Sequence, residues 1–111
     1  MKNTIKSHKN FRFPENNWIV QGPFHFKWRP KLFEAAEYGL VAAKKTFPGA
    51  VRRNRAKRLL RVWIMANKIP RGFDVLFIAR PSILETTRED GIRHVKTALK
   101  RMGKEISRPD H

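Results

Sequence analysis

Six cationic side chains fall within the twelve residues Ala50-Val51-Arg52-Arg53-Asn54-Arg55-Ala56-Lys57-Arg58-Leu59-Leu60-Arg61. Lys44 and Lys45 stand just upstream. Guanidinium and ammonium groups stay charged near neutrality, so such a cluster is suited to gripping anions rather than to moving protons. Surface helices normally mix charge signs, because like charges four residues apart destabilise the helix. Here no Asp or Glu occurs between Glu37 and Asp74. A polyanion relieves that repulsion, and arginine forks match phosphate oxygens two at a time.

Residues suited to other chemistry are sparse. The histidines are His8, His25, His94 and His111, without a partner at metal-ligand spacing. Glu34 with Glu37 and Glu89 with Asp90 are the close acid pairs. The second pair fits a helix N-terminus, where carboxylates complement the dipole. No glycine-rich phosphate loop of recognised spacing is present. The pattern offers no catalytic group and no metal site, and it favours a binding role.

Composition agrees. The chain has 111 residues and a formal charge of +16, from 25 Lys and Arg against 9 acids. This length suits one domain, 1–111, with flexible tails expected at 1–10 and 107–111. The 41% hydrophobic content argues against wholesale disorder. The absence of cysteine fits a reducing, cytoplasmic setting. No run is long and apolar enough to span a bilayer.

Several elements position the cationic run. Phe24-His25-Phe26-Lys27-Trp28-Arg29 alternates strictly and predicts a strand. Tyr38 to Lys44 predicts a second strand, antiparallel to the first. After a Phe47-Pro48-Gly49 turn, a helix is expected from about Ala50 to Asn67. Ala56, Leu59, Leu60, Trp63 and Ala66 would form its buried stripe. Asn54, Lys57, Arg58, Arg61 and Lys68 share the other face, with Arg53 and Arg55 at the boundary. Phe73 to Ala79, nearly continuous in apolar residues, predicts a central strand. Thr86-Thr87-Arg88-Glu89 has the form of a capping box. Ile92, Val95, Leu99, Met102 and Ile106 follow at helical spacing, and Gly91 weakens the first turn.

The aromatic residues carry two readings. Phe24, Phe26 and Trp28 at strand spacing suit a core, and the pattern favours that reading. On a basic protein an exposed aromatic sheet face also stacks unpaired bases. Phe11, Phe13 and Trp18 lie outside clear elements and either cover the sheet or line a groove beside it.

The cationic run in its strand–helix–strand setting resembles the signature of the bacterial ribonuclease P protein component. Two lysines end a strand, an Ala-Val-x-Arg-Asn-Arg-x-Lys-Arg run opens the next helix, and Phe73 to Arg80 resembles the strand that follows. The likeness covers about residues 38 to 104. It implies an α+β fold, an α/β sandwich of the ribosomal protein S5 domain 2-like class with a left-handed βαβ crossover, against the usual handedness. It implies that Lys44, Lys45, Arg52, Arg53, Asn54, Arg55, Lys57, Arg58 and Arg61 contact the catalytic RNA of ribonuclease P. It also implies a holoenzyme that hydrolyses precursor tRNA to release the 5′ leader, with chemistry on the RNA and its Mg²⁺. The single-stranded leader would lie between an N-terminal helix and the sheet. The candidates for contacting it are Phe11, Phe13, Trp18, Phe24, Phe26 and Trp28. Pro14, Gly22 and Pro23 leave little room for that helix here.

Three other readings compete. A ribosomal or general RNA-binding protein fits the charge but not the ordered motif. A metal nuclease acting alone needs acids that converge in space. A membrane-surface role needs a large apolar helix face free of core duty.

Overall fold

A computed structural model describes residues 3–4, 17–30 and 37–106. Five strands form one sheet: β1 (Asn3–Thr4), β2 (Trp18–Gln21), β3 (Phe24–Pro30), β4 (Glu37–Val41) and β5 (Phe73–Ala79). Their order across the sheet is β1-β4-β5-β3-β2. Two helices, α1 (Ala50–Met65) and α2 (Arg88–Ile106), complete the α+β fold, with a 3-10 turn at Pro81–Glu85.

The nearly all-apolar β5 takes the centre, as its composition predicts. It pairs antiparallel with β3 and parallel with β4. The two predicted strands β3 and β4 run in opposite directions, but they are not neighbours, because β5 lies between them. The α1 crossover makes β4 and β5 parallel, and a parallel pair needs such a connection. β4 also ends at Val41, short of the lysines.

β2 and the hairpin it forms were not legible from the pattern. Trp18 to Gln21 alternates weakly and precedes Gly22-Pro23, which reads as a break. The break is the turn itself. Gly22 has φ of 52° and Pro23 holds its φ negative, the sign pattern of a type II′ hairpin turn. Gln21 and Phe24 close the hairpin. In the expected N-terminal tail, Asn3 and Thr4 pair with Glu37 and Tyr38 at the sheet edge.

The core lies between the sheet and the helices. Phe24, Phe26 and Trp28 of β3 and Val75, Phe77 and Ala79 of β5 share one sheet face and are buried. Phe77 meets Phe24 edge-on at 5.2 Å and Phe26 at 5.0 Å between ring centroids. Ala56, Leu60, Trp63 and Ile64 of α1 pack above them, with Val95, Ala98 and Met102 of α2.

Both helix stripes differ from expectation by a small rotation. In α1, Ile64 is buried and Ala66 is exposed. The helix ends at Met65, because the Asn67 side chain donates to the carbonyls of Trp63 at 2.9 Å and Ile92 at 3.2 Å. That clasp ties the end of α1 to α2. In α2 the buried line is Gly91, Val95, Ala98 and Met102, while Ile106 is exposed. Small residues at 91 and 98 let the backbone approach its neighbours. The cap shifts by one residue as well: Thr87 accepts from the Asp90 N–H at 3.2 Å, while the Thr86 hydroxyl donates back to Ser82.

Candidate nucleic-acid interface

The motif forms a rigid cationic surface because its helix is anchored from behind. Ala56, Leu60, Trp63 and Ile64 are fully buried, so the rotational setting of α1 is fixed. Arg52, Asn54, Arg55, Arg58 and Arg61 are exposed, and Arg53 and Lys57 are half-buried. Lys44 and Lys45 lie exposed in the turn after β4. None of these cations forms an ion pair among the described residues.

Arg53 has a second task. Its guanidinium donates to the Phe47 carbonyl at 3.1 Å, holding the turn that leads into α1. Phe47 is itself in the core, so the lysine-bearing turn is fixed relative to the helix. The N-cap is Gly49, without a side-chain cap, and the first turn of α1 holds no acid. Carboxylates are the usual stabilisers of that end; here arginines occupy it, which favours an external anion.

The aromatic candidates separate. Phe24 and Phe26 are completely buried and Trp28 nearly so, with Phe26 and Trp28 stacked at 5.9 Å. They cannot stack on a base without opening the core, so their leader-binding assignment is corrected to a structural one. Trp18 is 50% exposed on β2. Phe11 and Phe13 lie outside the described residues.

Strand alternation places Trp18, His25 and Lys27 together on the face away from the helices. Trp18 pairs with Lys27 across the strands, and its ring lies 6.1 Å from that of His25. Burial first, then the charges of Arg80 and Lys27, hold the His25 imidazole below its ordinary pKa. Arg80 is fixed by donating to the Gly22 carbonyl at 2.9 Å. His25, Lys27 and Arg80 were absent from the sequence-based site. The polar positions of the alternating strand were the available signal.

The same face contains a buried charge. Asp74 of β5 is fully buried and accepts from Arg29 Nε of β3 at 2.9 Å. The two are register partners in adjacent strands. Among the described residues no three His, Cys, Asp or Glu side chains gather as metal ligands, and no helix is long and apolar enough to cross a membrane.

The comparisons with known proteins agree with this geometry. The family model described as Ribonuclease P matches residues 1–103. The ribonuclease P protein component of Marinomonas sp. (strain MWYL1) is 34% identical over 92 residues, covering 82% of this chain and 70% of the relative. That of Legionella pneumophila (strain Corby) is 33% identical over 82 residues, covering 74% and 71%. Among solved structures, the RNase P protein from Thermotoga maritima superposes with a TM-score of 0.67 at 28% identity, covering 78% of this chain and 84% of that one. The Staphylococcus aureus RNase P protein shares the fold, with a TM-score of 0.69 at 21% identity over 91% and 95% of the two chains. A cationic helix anchored in an α+β core, joined to these matches over most of its length, places the chain in the ribonuclease P protein family, the protein component of an endoribonuclease of tRNA 5′ processing.

Proposed function

We propose that the chain docks on the catalytic RNA of ribonuclease P through the exposed side of α1 and the Lys44-Lys45 turn. The observation that carries this reading is the cationic surface of α1, unpaired among the described residues, whose setting the core fixes. Arg52, Arg55, Arg58 and Arg61 reach phosphates, Asn54 supplies an uncharged donor and acceptor, and Lys57 and Arg53 complete the surface nearer the core. The core pre-organises the helix that carries them, and the planar guanidinium fork loses less freedom per hydrogen bond formed than an ammonium group does.

The 5′ leader of precursor tRNA is assigned to the opposite sheet face. Trp18 offers a stacking surface, and Lys27 and Arg80 supply charge for the leader phosphates. Mg²⁺ is assigned to the RNA, as the resemblance to the ribonuclease P protein component implies. The chain's part is to hold two RNA segments in fixed relation, in the cytoplasm, while the RNA performs the hydrolysis.

The test is precursor tRNA cleavage by a cognate catalytic RNA at low Mg²⁺, with and without the chain. Stimulation is expected. A folded protein that binds RNA yet gives no stimulation would remove the processing role and leave a general RNA-binding protein.

A further inference from the structure

The exposed side of α1 is not purely cationic. Opposite the buried stripe, Met65 is 61% and Val62 40% exposed. With Ala66 they floor an open depression of about 380 Å³, lined also by Arg58 and Arg61 of α1 and by Arg88, the first residue of α2. A cation at the positive end of a helix dipole is unfavourable by itself. Glu89 and Asp90 in the same first turn complement the dipole, but none of the three arginines forms an ion pair among the described residues, so their guanidinium groups stay available to an anion. The Asn67 clasp ties the end of α1, which carries the floor, to α2, which carries Arg88.

A soft apolar floor inside a ring of planar cations suits one kind of ligand. The ligand must be anionic, to satisfy three guanidinium groups. It must also carry a flat, weakly polar group to cover a thioether and two aliphatic side chains. A base joined to its phosphates has both properties. An acidic peptide has the charge without the flat group, and a lipid surface needs a wider apolar face than these residues provide.

We infer that this depression seats one unpaired nucleotide of an RNA, its base on Met65 and Val62 and its flanking phosphates on Arg58, Arg61 and Arg88. The inference deepens the RNA-docking reading of α1 and rests on it. It makes the C-terminal end of α1 a base-contacting site as well as a charged one.

The experiment uses the full chain with a short oligoadenylate and with an abasic oligomer of equal phosphate number. Met65→Ser leaves the charge unchanged and alters an exposed position. It is expected to weaken oligoadenylate about two- to tenfold, as loss of one sulfur–aromatic contact does, and to leave abasic binding and the salt slope unchanged. Arg88→Gln is expected to weaken both oligomers and to lower the salt slope by about one unit at most. Equal affinity of the parent chain for the two oligomers, or an unaffected Met65→Ser variant, would overturn the inference. So would hexaglutamate binding as tightly as oligoadenylate and weakened alike by Met65→Ser. Parallel titration with the catalytic RNA separates the two readings. A parent chain that binds this RNA, with no Met65 effect on oligoadenylate, sinks the nucleotide site alone; failure to bind it sinks the docking reading too.

Discussion

Gly91 of α2 lies against the indole of Trp63 of α1, so closely that a Cβ at position 91 would overlap Cε2, Cδ2 and Cζ2 of the ring. The glycine that weakens the helix locally is what lets the two helices meet. Trp63 is fully buried, and its Nε1 has no hydrogen-bond partner among the described residues. Helix propensity alone would make Gly91→Ala favourable by about 1 kcal/mol. Overpacking against a rigid ring opposes it by about 1–3 kcal/mol, and an overlap this deep with a fully buried ring belongs at the upper end. Gly91→Ala is therefore expected to lower stability in urea denaturation by about 1–2 kcal/mol. Trp63→Phe in the same chain should relieve part of that cost, with a coupling of about 0.5–3 kcal/mol. Strict additivity would show that the two residues do not meet.

Arg29 and Asp74 bridge the two central antiparallel strands. The carboxylate is buried, while the Arg29 side chain is 32% exposed and therefore partly screened. Arg29→Ala leaves a buried carboxylate without that guanidinium. A loss of about 1–3 kcal/mol is expected by denaturation. Arg29→Lys should recover only part of it, because an ammonium group does not reproduce the Nε–H contact.

Arg58 and Arg61 are exposed and unpaired among the described residues. Arg58→Ala and Arg61→Ala are expected to leave thermal stability within about 0.5 kcal/mol. Each should weaken RNA association and flatten its salt dependence by about one unit at most. A double variant with an unchanged slope would remove both from the contact surface. Arg53→Ala should behave differently, losing stability as well as affinity, because its guanidinium holds the Phe47 carbonyl.

His25 gives the fold a pH dependence. Its folded pKa is depressed by burial, Arg80 and Lys27, so the unfolded chain takes up the proton first as pH falls. This group contributes nothing above the unfolded value of about 6.5 and destabilises the fold progressively below it. Denaturation at pH 7.5 and pH 5.5 should show a larger loss for the parent chain than for His25→Gln. Equal losses would show that His25 titrates alike in both states.

The order of residues from Ala50 to Arg61 determined, without any fold, that an uncompensated cationic surface would lie on one helix. Arginines at helical spacing with no acid among them expose like charge wherever the helix sits. Periodicity likewise determined β3 and both helices, because burial on one face imposes a period that the residues must carry, whereas β5 was legible as a continuous apolar run because both of its faces are covered. What the tertiary structure alone decided was adjacency. β5 separates β3 from β4, and strand patterns do not encode neighbours. The Gly22-Pro23 break is a hairpin turn only because β2 finds β3 to pair with. Phe24, Phe26 and Trp28 are core because helices cover that face, leaving Trp18, His25 and Lys27 on the other. Gly91 and Trp63 lie 28 positions apart in sequence. Their close fit follows from the packing of α1 on α2, a three-dimensional distance that neither residue's neighbours record.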